Sequence, residues 1–352
     1  MRVLSIVTSG GDAPGMNAAI AAVTKTALSQ GWHVLGIQDG YDGLIENRMI
    51  TLKAPDVDDI SREGGTFLRS ARSKGFMTKE GRQKAFQNLQ SQGCEVLVVI
   101  GGNGSLTGAH IFAQEHDIRV IGIPASIDND IACTSLCIGV DTAVNSIVEA
   151  CDKISDTARS HRRAFLVEVM GRECGYLAMS SAIATSADAV LFREQGKSEE
   201  QLISELQEVI RHAYSEVRDK KRVLIIKAEG VEVSTASLAE KLEETMQQDG
   251  RGATLRYTIL GHVVRGGRPS ALDRIIASRL GFIAATLAIQ GRTQLMVGWR
   301  PYVSGEISID DRVEMFDLAF VLSSTKELLD GTHPTTQKQM AMLARVQDIL
   351  LL

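Results

Sequence analysis

The chain reads as an α/β protein built on doubly wound, largely parallel sheets, and three observations carry that expectation. Short apolar runs at residues 3–7, 34–37, 96–100 and 120–123 alternate with helix-like segments, the pattern of βα units whose strands are buried on both faces. Two of these runs lead directly into glycine-rich loops that open helix-like sequence. A third ends in Pro124-Ala125-Ser126-Ile127-Asp128-Asn129-Asp130. Two carboxylates thus emerge at a strand's carboxyl end, where open α/β sheets place their chemistry.

Taken in order, the first strand is followed by Thr8-Ser9-Gly10-Gly11-Asp12-Ala13-Pro14-Gly15-Met16-Asn17, and a helix-like stretch covers 18–28. Strand, glycine loop and helix form a phosphate-binding arrangement: backbone N–H groups approach an anion with no Cβ in the way, and the helix N-terminus adds partial positive charge. The strand at 96–100 repeats it with Gly101-Gly102-Asn103-Gly104-Ser105. In the acidic loop, an extended chain would turn Asp128 and Asp130 to one side and Asn129 to the other. One carboxylate could take a proton while the other holds a cation. Asp-Asn-Asp alone is ordinary turn chemistry; two anion-holding loops beside it suggest a nucleotide with a metal-assisted phosphoryl acceptor site.

After Gly139 the pattern restarts with a helical stretch at 142–158 and strands at 164–169, 189–192 and 222–227, which predicts a second α/β domain. Ser198-Glu199-Glu200-Gln201 opens a scaffold helix with a capping box, and apolar residues recur behind it at helical spacing. The chain is expected to cross between the domains more than once. Residues 335–352 are expected to form a helix ending in an apolar tail. Met170-Gly171-Arg172-Glu173-Cys174-Gly175 and Glu229-Gly230 follow strands, and Arg256, His262 and Arg265 cluster within ten positions. Arginine forks match phosphate oxygens in pairs.

Composition sets the bounds. At 352 residues, with 44% hydrophobic and 23% charged residues, the chain has room for two soluble domains with a long cleft. A net charge of −5 gives no basic excess for nucleic acid or an anionic membrane surface, so phosphate recognition must be local. The five cysteines are odd in number and lack zinc-ligand spacing, which favours reduced thiols and a cytoplasmic location. No leader-like or membrane-spanning apolar run is apparent.

These motifs together resemble the phosphofructokinase A family. The resemblance rests on residues 10–17, Gly64-Gly65-Thr66 with Ser70-Ala71-Arg72, Gly101 to Ser105, Ser126 to Asp130, Gly139-Val140-Asp141-Thr142-Ala143, Met170-Gly171-Arg172, and Leu260-Gly261-His262 through Arg265-Gly266-Gly267, in family order across about the first 280 residues. It implies two Rossmann-like domains with the active-site cleft between them. Residues 1–139 plus about 264–315 would bind the nucleotide; 140–263 plus about 316–352 would bind the sugar phosphate.

The implied reaction is phosphorylation of fructose 6-phosphate at its 1-hydroxyl by ATP with Mg²⁺, the first committed step of glycolysis. A related acceptor such as sedoheptulose 7-phosphate or tagatose 6-phosphate stays open, as does a non-catalytic regulatory homologue.

By the same resemblance Asp128 is the general base, Ser126 stands where Thr is usual, and Arg172 and the Gly11 backbone stabilise the transferring phosphoryl group. Gly11, Tyr41, Arg72, Arg82, Gly102, Asn103, Gly104, Ser105 and Gly108 line the nucleotide. Ser126, Asp128, Met170, Gly171, Arg172, Glu229, His262 and Arg265 contact the sugar phosphate. Arg163 and Arg256 reach in from a neighbouring subunit of a homotetramer. Asp130 and Asn103 address the metal, Asn103 replacing the family's usual Asp.

Diphosphate-using relatives carry Asp and Lys where this chain has Gly104 and Ala125, so ATP is the expected donor. Ser73 replaces an aromatic or apolar neighbour of the adenine, which loosens the expected nucleotide preference. Where bacterial relatives hold anionic effectors with basic residues, this chain carries Ala21, Ala54 and Ser155, keeping Lys25 and Lys220-Lys221. A weak, absent or replaced effector response is expected.

Overall fold

The protein is described here from a computed structural model covering residues 2–248, 254–300, 310, 312–334 and 336. Its chain forms two compact units: residues 1–142 with 265–328, and residues 143–264 with 329–352.

In the first unit the elements are β1 (Val3–Ser9), α1 (Met16–Ser29), β2 (His33–Ile37), α2 (Gly40–Ile45), β3 (Met49–Leu52), α3 (Lys79–Ser91), β4 (Cys94–Gly101), α4 (Asn103–Glu115) and β5 (Arg119–Pro124). After the second unit come α9 (Ala271–Ile289), β10 (Leu295–Trp299), β11 (Val313–Asp317) and α10 (Leu318–Leu329). The seven-stranded sheet has the order β11-β10-β5-β4-β1-β2-β3. Its five inner strands are parallel, and β3 and β11 close the two edges antiparallel. Every residue of β1 is buried, as is β4 from Val96 onward, which is why these strands read as unbroken apolar runs.

From β1 the chain winds outward to β2, then returns across β1 to build β4 and β5 on its other side. Right-handed crossovers in opposite directions put α1 and α4 on opposite faces. The gap between the carboxyl ends of β1 and β4 is therefore the topological switch point. Both glycine loops open there. On the α1 face α9 packs closely: a Cβ on Gly281 would lie 2.8 Å from the Ala19 carbonyl and from Ala22 Cβ.

In the second unit α5 (Val140–His161) leads into β6 (Ala164–Val169), α6 (Tyr176–Thr185), β7 (Ala189–Leu191), α7 (Glu199–Ala213), β8 (Val223–Ala228), α8 (Thr235–Gln248) and β9 (Leu255–Ile259). The first residues of α5 still belong to the first unit. The four strands are all parallel in the order β7-β8-β6-β9. The capping box of α7 forms: Ser198 Oγ accepts from the Gln201 N–H, and Gln201 Oε1 accepts from the Ser198 N–H at 2.9 Å. Leu202, Leu206, Val209, Ile210 and Ala213 of this helix enter the core.

The return to the second unit falls after Leu328, not near residue 315, because β11 pairs with β10 and carries α10 with it. Apart from Thr336, the expected C-terminal helix lies outside the described residues. Among the described residues no helix is long and apolar enough to cross a membrane. All five cysteines are free thiols, and burial pushes those of Cys94 and Cys151 up to about 11.

Candidate active site

At the switch point of the first unit a cavity of about 630 Å³ is lined by both glycine loops, by Tyr41, Arg72 and Arg82, and by Ala125, Ser126, Asp128 and Arg265. The first loop is held by a distant segment. Gly10 N–H donates to Ala71 O at 3.3 Å and Ser70 Oγ to Gly10 O at 2.8 Å. Thr8 Oγ1 donates to Arg69 O at 2.8 Å, and buried Asn17 bonds the backbone at Glu63, Gly64 and Phe67. This network sets Arg72 at the cavity rim, where neither it nor Lys74 meets a carboxylate among the described residues. Arg265 lies against the glycine loop, its Nη1 donating to Asp12 O at 3.2 Å. A Cβ on Gly11 would come within 2.7 Å of that nitrogen.

The α4 wall follows helical arithmetic: Gly104, Thr107, Gly108 and Ile111 recur at i, i+3, i+4 and i+7 and all face the cavity. A Cβ on Gly104 would meet nothing within 4 Å, so open space stands above the helix's first turn. Tyr41 is buried with its hydroxyl on Ser105 O at 2.7 Å, and burial pushes its phenol pKa far upward. Its ring stacks on Phe76, with centroids 3.8 Å apart.

Arg82 also lines the wall, but four of its five N–H donors are engaged, with Glu115 and with the carbonyls of Phe76 and Met77. The pair raises the arginine and lowers the Glu115 carboxyl. Arg82 therefore braces the Gly75–Met77 turn. Phe76, Met77, Ile111 and Lys74 were not foreseen from the sequence. Helical spacing from Gly104 would have found Ile111, and the Ser73-Lys74-Gly75 turn pointed to its two neighbours.

The acidic loop corrects the extended-chain expectation. Asn129 takes a left-handed conformation, φ 52°, which asparagine tolerates, and its amide bonds Ser135 O and the Cys137 N–H. The loop is thus a turn, and a two-residue face does not apply. Asp128 lines the cavity while Asp130 does not; Ser126 links them, its Oγ donating to Asp130 Oδ1 at 2.7 Å and accepting from the Asp128 N–H at 3.4 Å. Asn103 opens α4 outside the cavity lining, its carbonyl accepting from Thr107 Oγ1.

In the second unit β6 and β8 are neighbours whose chains leave toward opposite edges of the sheet, through α6 and α8, which makes their carboxyl ends the switch point. Met170, Gly171 and Arg172 lie at one end and Glu229 at the other. The Glu229 N–H donates to Val169 O at 2.8 Å and the Gly230 N–H to Gly171 O at 3.3 Å. Gly230 must lack a side chain, because a Cβ there would fall 1.8 Å from Arg172 O. Met170 is buried; Arg172, Glu229 and His262 are exposed.

Arg163 and Arg256 sit at the opposite end of this sheet. Arg163 precedes β6, and Arg256 pairs with Phe165 in register, its Nη1 3.7 Å from Glu243. The length of β6, roughly 20 Å at about 3.3 Å per residue, separates Arg163 from the Arg172 end, and the stretch from Phe165 to Val169, roughly 13 Å, separates Arg256 from it.

Paired strand-end loops on doubly wound sheets, with a carboxylate at the lip of a glycine-walled cavity, define a nucleotide-binding α/β architecture. The family follows from comparison: residues 3–288 match the phosphofructokinase model, and the chain belongs to that family. It is 43% identical over 315 residues to the ATP-dependent 6-phosphofructokinase of Thermoanaerobacter sp. (strain X514), covering 90% of this chain and 95% of that one. It is 45% identical over 298 residues to ATP-dependent 6-phosphofructokinase 2 of Bacteroides thetaiotaomicron, covering 85% and 89%. The structure of phosphofructokinase from Saccharomyces cerevisiae superposes with a TM-score of 0.83 at 34% identity over 94% of this chain. The chain spans 47% of that yeast chain.

Proposed function

We infer that the chain is a kinase that transfers the γ-phosphoryl group of ATP to the 1-hydroxyl of fructose 6-phosphate, giving fructose 1,6-bisphosphate at the committed step of glycolysis. The observation that supports this most is the first unit's cavity, where glycine-loop backbone, the open space over Gly104 and the Asp128 carboxylate meet. A triphosphate lies along the two glycine loops, with Arg72 neutralising its charge and the base against Phe76, Met77 and Ile111. Ala125 and Gly104 leave room for the α-phosphate, which favours ATP over diphosphate as donor.

Asp128 accepts the proton of the attacking 1-hydroxyl, a step worth about 10²- to 10⁴-fold for a positioned base. Arg172 and the Gly11 N–H meet charge that builds on the transferring group. Met170, Glu229, His262 and Arg265 hold the sugar phosphate. Mg²⁺ prefers one or two carboxylates plus substrate phosphates and water; Asp130 beside Ser126, with Asn103 as a neutral oxygen donor, would hold it from just beyond the residues that line the cavity. Held there, it would neutralise phosphate charge.

Arg163 and Arg256 stand too far along the sheet to serve their own chain's Arg172. This supports their serving a neighbouring copy in a homotetramer, and the free thiols of all five cysteines support a cytoplasmic location.

The test is a coupled assay with ATP, MgCl₂ and fructose 6-phosphate on wild type and Asp128→Ser. Turnover by wild type, lost by about 10²-fold or more in the variant, is expected. Turnover only with sedoheptulose 7-phosphate or tagatose 6-phosphate would change the acceptor. Turnover with diphosphate in place of ATP would overturn the donor, and a silent wild type that Asn103→Asp activates would favour a regulatory homologue.

A further inference from the structure

We propose that Lys227 is a positioning residue for the sugar-phosphate side of the site, an inference that rests on the function proposed above. Lys227 is 1% exposed on β8. The parallel register sets it beside Glu168 of β6, and its Nζ meets Glu168 Oε2 at 3.1 Å, with the Ala228 carbonyl at 3.4 Å. The same carboxylate oxygen accepts from the hydroxyl of Thr235, the buried first residue of α8. Glu168 also holds the third strand through its backbone, its carbonyl accepting from the Leu260 N–H at 3.0 Å. One residue thereby joins β6, β8, the start of α8 and the chain leaving β9.

The proposed sugar-phosphate ligands hang from these fixed points. Met170 and Glu229 each come one residue past their strand's end and two residues after Glu168 and Lys227, so the ion pair sits at the last turn of backbone before both ligands. His262 comes two residues after Leu260. Burying an ammonium and a carboxylate costs desolvation that a well-packed apolar pair avoids, and such a pair is weak evidence for stability. What it supplies is direction: charge-assisted hydrogen bonds are short and geometrically demanding. Removing Lys227 leaves Glu168 with Thr235 and an uncompensated charge, which frees the 229–235 turn to move relative to Arg172.

The experiment compares full-length wild type, Lys227→Met and the double variant Glu168→Gln/Lys227→Met by steady-state kinetics with each substrate varied, and by backbone amide exchange without ligand. Lys227→Met should raise KM for fructose 6-phosphate about tenfold and leave KM for ATP within about twofold, with faster exchange across 229–235. The double variant, which buries no lone charge, should recover thermal stability without recovering that KM. Equal shifts in both KM values, an unchanged sugar-phosphate KM, or full recovery in the double variant would show the pair to be a stability element only and overturn the proposal. If wild type does not use fructose 6-phosphate, the proposed function fails; exchange then decides alone, faster 229–235 amides in Lys227→Met supporting positioning and wild-type rates refuting it.

Discussion

Replacing Gly104 by Asp tests the nucleotide cavity with little cost to the fold. The new Cβ meets nothing within 4 Å. A carboxylate in the first turn of α4 is favoured by the helix dipole, by about 0.3–1 kcal/mol. The protein should therefore stay folded, with a melting midpoint within about 2 °C of wild type. The cost falls on the nucleotide. A negative charge about 4 Å from a phosphate opposes binding by about 1 kcal/mol at the dielectric of water and about 4 kcal/mol at an effective value near 20. At about 1.4 kcal/mol per tenfold, kcat/KM for ATP should fall between about 5-fold and about 10³-fold, with the sugar-phosphate KM little changed. A coupled assay with ATP varied at saturating sugar phosphate measures it. A folded Gly104→Asp variant that keeps kcat/KM for ATP within about twofold would refute the placement of the phosphates over this turn.

Asn103→Asp should lower the Mg²⁺ concentration needed for half-maximal rate, because a neutral oxygen becomes a charged one; metal titrations of the two proteins compare it directly. Asp273 is fully buried and accepts from the Gly139 N–H at 2.9 Å and from both the N–H and the hydroxyl of Thr142. Asp273→Asn sets an amide N–H₂ against one of those donors and should cost about 1–3 kcal/mol in urea unfolding. Burial raises the Asp273 carboxyl. The folded state thus holds its proton longer than the unfolded chain, and this group's contribution declines as pH climbs from the ordinary carboxylate range through its folded pKa. The Asn variant should lose that slope in unfolding measured across pH 4–7. Lys25 pairs with Asp58 at 2.7 Å, Lys220 with Asp188 at 2.5 Å and Lys221 with Asp219 at 2.6 Å. The remaining basic groups of the effector positions are thus engaged, and dose series of ADP and phosphoenolpyruvate should leave the initial rate nearly flat.

The parts of this site legible in the sequence are those that local chemistry dictates. Gly10-Gly11 and Gly101 to Ser105 each follow a buried strand and lead toward a helix, so their position at a strand's carboxyl end follows from strand pattern alone; that the two ends flank a switch point needs the strand order. The second unit's β6 falls on residues 164–169 as expected. What the sequence hid depends on side chains far apart in the chain. Arg82 lines the cavity, as expected of a residue beside the nucleotide, but its hold on Glu115, 33 residues further along, is invisible in the sequence. The apolar cavity wall comes from Phe76, Met77 and Ile111 on two separate elements, and no single segment announces it. Asp128 and Asp130 misled for a local reason: one left-handed residue, Asn129, turns an extended pair into a bend. The short edge strand β3, and β9 and β11, lack the apolar runs that marked the inner strands.

The first unit's sheet takes its last two strands, and its cavity takes Arg265, from chain that lies beyond residue 264. During synthesis the amino-terminal half must wait, with β5 lacking its outer neighbour and α1 its α9 partner, until the whole intervening unit has left the ribosome. A nascent fragment stopped before that point exposes an apolar helix face and a raw sheet margin. Chaperone capture and proteolysis should concentrate on that interval of translation, and separately expressed halves should complement poorly.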